Sequence, residues 1–456
     1  MTLVNDIHSQ LNSSEVHDVV QVGSVEAVQK AVLRARDEGL PVAIAGGRHA
    51  MGGQQFCAGG LLVDTRGFDQ VLALDEERGT ITVDAGIQWP ALLERLAPTR
   101  WAIAQKQTGA DRLSVGGAIA ANAHGRGLTM APLGGDLEQL TLVDAEGELR
   151  QCSRDENAEL FGLVIGGYGL FGVVTSATLR LAPRRKLERV VEVRDLDGVA
   201  AAFEERIADG FTYGDFQFAI DPLTDQFLHR GVFSCYRPVD DATPIPEGQK
   251  ALSREEWGQL LLLTHTDKAQ AFARYSDHYL LTSGQIYLSD AHQYGDYVDG
   301  YHAQLDVVMK AEHPATEMIT EIYVPRARLS DFMAEVAADF REHDVDVIYG
   351  TVRLIERDED SFLAWAREPW ACVIFNLHTV HTPAGLNHSA DAFRRLIDYA
   401  IERGGSYFLT YHHWATAAQL EACYPQFRAF LERKRAYDPD ERFQSDWYRH
   451  YRDALA

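Results

Sequence analysis

Two glycine-rich runs hold the strongest candidates for chemistry. The first is Ala45-Gly46-Gly47-Arg48-His49-Ala50-Met51-Gly52-Gly53. The second spans Gly109 to Gly127 and includes Ser114-Val115-Gly116-Gly117 and Ala121-Asn122-Ala123-His124-Gly125. Small residues let backbone N–H groups come close to a diphosphate, and consecutive amides can form an anion nest. Each run taken alone also fits a tight turn or small-residue packing between strands. A third run, Gly167-Tyr168-Gly169-Leu170-Phe171-Gly172, has the GxGxxG spacing of a dinucleotide fingerprint. That fingerprint needs a strand before it and a helix after it, so that the diphosphate meets a helix N-terminus. Here a helical pattern comes first and the β-branched run Val173 to Leu179 follows, so the order is reversed. His378-Thr379-Val380-His381 has a spacing that suits a metal on a helix. It follows a strand-like run with no acidic ligand beside it, so a surface or pocket role is expected and no metal site is read.

The elements around these runs follow from periodicity and turn residues. Ser24 can cap a helix whose apolar residues Val25, Val28, Val32 and Ala35 share a face, with Gly39 as its stop. Leu40 to Ala45 reads as a buried strand entering the first glycine run, and Gly60 to Asp64 as another. Val71 to Leu74 with Thr80 to Val83, and Leu137 to Val143 with Glu148 to Cys152, read as hairpins. Asn157 to Ile165 reads as a helix and Val173 to Leu181 as a strand. After Pro183-Arg184-Arg185-Lys186 the texture changes to long polar loops and many aromatics, so a domain boundary is placed near 185. Tyr and Trp bury area while offering a polar handle, which suits a pocket as well as a core.

Composition narrows the partners. With 456 residues, 46% hydrophobic and 24% charged, the chain is globular and too long for one ordinary core. Its formal net charge of -24 repels phosphate backbones, so nucleic acid is not expected as a partner. The N-terminus lacks a basic and apolar signal pattern, and the most apolar stretches are too short to span a bilayer. The five cysteines are scattered without a CxxC pair, so neither a zinc site nor a disulfide framework is expected. A cytoplasmic location without membrane insertion is the expectation.

The segments Gly46 to Gly60, Thr108 to Gly125 and Leu160 to Leu181 resemble the vanillyl-alcohol oxidase/p-cresol methylhydroxylase (PCMH-type) family of FAD-linked oxidases. The resemblance runs from about Val16 to the C-terminus. It returns at Tyr424-Pro425, Asp438-Pro439 and Phe443-Gln444-Ser445-Asp446. It is strongest toward alditol and aldonolactone oxidases and decaprenylphosphoryl-ribose oxidase. It implies an α+β fold: an FAD-binding domain of two α+β subdomains, with an inserted cap domain built on an antiparallel sheet. The expected divisions are 1–185 for the FAD domain, 186–407 for the cap and 408–456 for a segment returning to the FAD domain.

The resemblance also implies roles. Ala45, Gly46, Gly47, Arg48, Ala50, Met51 and Gly52 would wrap the diphosphate. Gly109, the turn Ser114-Val115-Gly116-Gly117, Ala121, Asn122, His124 and Gly125 would continue that cradle. Val174 would meet the adenine, and Phe408 would lie near the isoalloxazine. His49 falls where several members bond a histidine to the flavin 8α-methyl, as a neutral imidazole nitrogen can. No cysteine stands near Asp111 to Val115, so one link is expected rather than two.

The implied reaction is oxidation of a hydroxyl-bearing carbon in a sugar, polyol or secondary-metabolite alcohol. Hydride would pass to flavin N5, and electrons then to oxygen or another acceptor. The alternatives are an amine or phenolic substrate, or flavin binding without catalysis. Arg353 matches an arginine near the flavin, and the acidic residue two positions earlier in relatives is Thr351 here. An active-site lysine of the relatives is replaced by Tyr411, in Tyr411-His412-His413-Trp414. Tyr411 is expected to meet substrate as a hydrogen-bond donor or, as phenolate, a base. Strand alternation would place His413 on the same face. Glu321 and Tyr323 read as part of a cap strand facing the pocket. Thr108 lies near the position that gates oxygen in relatives, without matching their alanine or proline. Oxygen use and oligomeric state are left open.

Overall fold

The computed structural model describes residues 1–295 and 300–456. A small α/β unit opens the chain. The Ser24 hydroxyl accepts from Ala27 N and caps the helix Val25–Asp37, which buries Val28, Ala31, Val32 and Ala35. The helix ends at Glu38, and Gly39 follows at φ 67°, the left-handed region that glycine enters without strain. It joins two strands of a parallel sheet ordered Asp18–Gln21, Leu61–Asp64, Val42–Ala45. The middle strand is buried throughout, as its unbroken apolar run requires. Val42–Ala45 delivers the first glycine run from its C-terminal end.

A second sheet is antiparallel and centres on Val173–Pro183. That strand pairs with Leu137–Val143 on one side and Thr80–Asp84 on the other, and its far end pairs with Trp101–Ile103. Both expected hairpins form: Val71–Asp75 with Thr80–Asp84, and Leu137–Val143 with Leu149–Ser153. The GxGxxG run lies between the helix Ala158–Val164 and the strand Val173–Pro183. The order is helix, glycines, strand, so no Rossmann site is built there.

The expected turn at Ser114–Gly117 is instead the start of a helix, Val115–Ala121. Two adjacent glycines hide the helix in the sequence, because glycine costs about 1 kcal/mol there relative to alanine. Ser114 compensates by accepting from Gly117 N at 3.2 Å. Gly116 is small because its N–H reaches Ala85 O at 2.6 Å, and a methyl would meet Ala85 at 3.0 Å. The helix ends on Asn122 in the left-handed region.

The third sheet has eight strands, all paired antiparallel. Its order is Ile286–Leu288, Lys186–Asp195, Arg230–Pro238, Tyr213–Phe218, Val347–Ile355, Trp370–Val380, Ala315–Pro325, Ser406–Tyr407. The whole arrangement is the α+β architecture expected. The C-terminal segment comes back to the first sheet: Val42 N donates to Arg442 O and Gln444 N to Val42 O, at 2.7 and 2.9 Å. A buried Lys434–Asp438 pair shapes that return, with Asp438 accepting from Arg442 N and Phe443 N at 2.8 Å each. No helix among the described residues is long and apolar enough to cross a membrane.

Candidate active site

A cavity of about 680 Å³ lies between the glycine runs and the eight-stranded sheet. Gly46, Gly47, Arg48, His49, Ala50 and Met51 line it from the first run. Gly109, Ser114, Gly116, Gly117, Ala121 and His124 line it from the second, with Val174 and Phe408 beside them. Ala45, Gly52, Val115, Asn122 and Gly125 were expected in the cradle but stand behind its wall. Val115 is core, and Asn122 uses its side chain on Asp358 Oδ2 at 2.8 Å and Gly134 N at 2.9 Å. Gly52 N donates to Gln54 Oε1 and Gly125 N to Gln105 Oε1.

The cradle fits an extended diphosphate cofactor. A methyl on Gly47 would meet the Arg112 carbonyl at 2.4 Å, and one on Gly46 would meet Ser114 Oγ at 2.2 Å. These positions must be bare for two backbones to converge on one ligand. Gly47→Ala is expected to fold yet be isolated with a clearly reduced flavin-to-protein absorbance ratio. A ratio equal to wild type would show that the two runs do not form the cradle.

His49 sits at the cradle's edge. Its Nδ1 is 2.7 Å from His8 Nε2, and its Nε2 is buried without an aligned hydrogen bond. Burial, with the neighbouring His8 and Arg112 charges, pushes its pKa down to about 3, against the opposing pull of the Arg112 carbonyl. The ring is therefore neutral at any physiological pH, with Nδ1 held by His8. His8 gave no sequence signal, since it lies 41 positions away in an irregular segment. Asp6 fixes that segment by accepting from His8 N, Ser9 N and Gln10 N.

Across the cavity stands Glu321, on the strand Ala315–Pro325. Alternation turns Glu317, Ile319 and Glu321 to the cavity. Glu321 is 3% exposed. Its Oε2 takes His124 Nε2 at 2.7 Å and the Tyr323 hydroxyl at 2.9 Å, and its Oε1 takes the Tyr411 hydroxyl at 2.9 Å. Burial raises its pKa, but His124, Arg353 and Tyr411 outweigh that and hold it below the usual 4.5. A buried carboxylate kept ionised by surrounding donors has the protonation state an acceptor needs, while its lowered pKa makes it a weak base.

Strand register explains where this carboxylate comes from. Glu321 pairs with Ile374, and Ile374 pairs with Thr351 on its other side. Glu321 therefore lies in the same row as Thr351, two strands away. Thr351 itself is buried and hydrogen-bonds Phe216 O at 3.2 Å. No single-chain pattern reveals that row; the only signal was a glutamate inside an apolar strand.

Arg353 and Tyr411 both line the cavity. Arg353 donates to the Thr108 hydroxyl, while its buried Nε has no partner among the described residues. The phenolate role expected for Tyr411 is corrected. Burial, together with the charge of Glu321, raises its pKa well above 10, so it stays a phenol and donates. His413 is also corrected. The chain beyond the short strand Ser406–Tyr407 runs in turns, so strand alternation does not apply. His413 points away, with Nδ1 3.2 Å from Gly52 O and its ring beside His450. His412 packs on Phe393 and meets the Thr320 hydroxyl.

Comparison with known proteins agrees with this geometry. Residues 17–153 match the family model described as FAD binding domain. Residues 257–451 match the model described as D-arabinono-1,4-lactone oxidase. The chain is similar to L-gulono-1,4-lactone dehydrogenase of Mycobacterium tuberculosis, 26% identical over 432 residues that cover 94% of this chain and 95% of that protein. It is similar to decaprenylphosphoryl-beta-D-ribose oxidase of Mycolicibacterium smegmatis, 24% identical over 451 residues, with 95% and 94% covered. L-gulonolactone oxidase of Bos taurus is 30% identical over 168 residues, 37% of this chain and 38% of that protein.

Proposed function

We propose, from the premise that the chain belongs to the PCMH-type FAD-linked oxidases, that it oxidises a sugar or sugar-lactone hydroxyl in front of Glu321. FAD-dependent oxidation of a hydroxyl-bearing carbon, with electrons passed to an acceptor, is the activity of this enzyme. The substrate class, the covalent flavin and the residue roles are the finer reading. The relatives' named substrates, gulonolactone, arabinonolactone and a ribose, support the sugar class. So do the polar groups of Gln217, Glu317 and Asn376 on the sheet side of the cavity. Residues 1–185 with 408–456 are assigned to the FAD side, and 186–407 to the cap. A reducing, cytoplasmic compartment suits the five cysteines, all buried thiols.

The observation that carries this reading is the ionised Glu321 facing the cavity with the Tyr411 phenol on its Oε1. FAD, when bound, supplies the two-electron acceptor for the carbon-bound hydrogen. The chain supplies the rest. The substrate hydroxyl passes its proton to the Tyr411 oxygen as the Tyr411 proton crosses its 2.9 Å hydrogen bond to Glu321 Oε1, so Tyr411 is a phenol before and after the step. The Arg353 guanidinium steadies negative charge on the substrate oxygen. His124 and Tyr323 hold Glu321 from the other oxygen, so its aim does not depend on substrate.

His49 would carry the flavin through Nε2, since His8 occupies Nδ1. The neutral ring provides the nucleophilic nitrogen without a deprotonation step.

A pH dependence follows. Glu321 must be ionised to accept a proton, and its pKa lies below 4.5, so kcat falls only as pH drops beneath that value. Tyr411 must keep its proton, and its pKa lies well above 10, so it produces no alkaline loss below pH 10. A kcat profile with an acid limb near neutrality would contradict Glu321 as the acceptor. The function itself is tested by steady-state oxidation of sugar lactones, polyols, amines and phenols, with oxygen or a dye as acceptor. Turnover confined to hydroxyl substrates is expected; turnover of amines or phenols alone would overturn the reading.

A further inference from the structure

We propose that the cap carries a site for a divalent transition metal of the zinc class, held by His265, His378 and Asp346. These three residues come from separate parts of the chain. His265 lies on the helix Arg254–Thr266, His378 on the strand Trp370–Val380, and Asp346 just before the strand Val347–Ile355. Their ligand atoms all lie within 4.8 Å of one another. Two observations point to a ligand beyond that proximity. His265 Nε2 and His378 Nδ1 are both buried and have no hydrogen-bond partner among the described residues. The His265 side chain is only 3% exposed, and its ring centroid is 5.0 Å from that of His378. Glu317 lies 3.8 Å from His265 Nε2, whereas His378 Nδ1 has no such neighbour among the described residues, and a buried imidazole nitrogen left unpaired costs stability unless something satisfies it.

The backbone fixes the cluster. His378 N donates to Asp346 O at 2.9 Å, which sets the two side by side. His378 pairs in register with Glu317 on the next strand, and Glu317 Oε1 lies 3.8 Å from His265 Nε2. Two imidazoles and a carboxylate, with a second carboxylate at the edge, are the donors zinc takes, at about 2 Å from the ion. Lys268 bonds Asp346 Oδ1 at 2.6 Å. Glu317 lies four residues from Glu321, about 13 Å along the strand, so this site is separate from the redox centre. It would pin the helix Arg254–Thr266 to the sheet and close the cavity's far end, where Glu317 and Thr264 form the wall. The sequence spacing paired His378 with His381 and read no metal site there. His381 goes elsewhere, 2.9 Å from the Thr316 hydroxyl.

The full-length flavoprotein, stripped with a chelator and then exposed to zinc or cobalt, tests this. The wild type is expected to retain one zinc per chain after gel filtration. Cobalt should add an absorption band beyond the flavin's. In His265→Ala and in His378→Ala, zinc affinity falls at least about tenfold and the cobalt band is lost. His381→Ala keeps both. Asp346→Asn, which changes no shape, weakens zinc without disturbing flavin content and so replaces any histidine variant that fails to fold. A wild type that holds no more zinc than the His265→Ala/His378→Ala double variant would overturn the proposal. So would equal loss in His381→Ala.

Discussion

Glu321→Gln is expected to lower kcat by about 10²–10⁴-fold, the usual worth of a positioned general base. Bound FAD should remain at the wild-type level. The amide keeps the shape and can still accept from Tyr411, but it cannot take a proton. The loss corresponds to about 3–5.5 kcal/mol of transition-state stabilisation. It should fall on kcat and kcat/KM alike, because the proton moves only in the transition state. Tyr411→Phe is expected to cost less, because the carboxylate remains and substrate can approach it directly. If Tyr411→Phe left both turnover and substrate affinity unchanged, Tyr411 would not touch substrate. If Glu321→Gln turned over normally, the acceptor would have to be sought elsewhere.

His49→Ala is expected to convert the flavin from attached to dissociable. Wild-type protein denatured in acid should keep its yellow colour with the chain, and its intact mass should exceed that of the polypeptide by one FAD. The variant should release all colour into the supernatant and show the bare polypeptide mass. The expectation rests on a ring that is neutral, buried and held at one nitrogen by His8. His8 sets which nitrogen is free, so its removal should slow attachment without abolishing FAD binding. Release of flavin from denatured wild type would leave His49 as a non-covalent neighbour of the cofactor.

Much of the cofactor side was legible because glycine leaves a trace. Gly47 and Gly116 stand against the Arg112 and Ala85 carbonyls, and Gly46 and Gly117 against the Ser114 side chain, where a Cβ would crowd. The GxGxxG run was separable from a Rossmann site because helix and strand periodicities differ on its two sides. The helix Val115–Ala121 was hidden by its own glycines, whose low propensity Ser114 offsets through a cap. The substrate side was less legible for a different reason. Arg353, Tyr411 and Glu321 meet through strand register and a turn, which depend on pairings between residues far apart in sequence. Glu321 shares a row with Thr351 two strands away, a neighbourhood that only the strand pairing sets. His413 departs from strand alternation because the chain forms turns there. His8 reached His49 through an irregular segment that no period describes.

The most direct measurement is the absorbance of the bound flavin when a sugar lactone such as L-gulono-1,4-lactone is added without oxygen, to wild type and to Glu321→Gln. The wild-type flavin band is expected to bleach with saturable kinetics and to return when an acceptor is admitted, with bleaching about 10²–10⁴-fold slower in the variant. A wild-type spectrum that no hydroxyl-bearing sugar, lactone or polyol bleaches would contradict this expectation, as would equal rates in the two proteins.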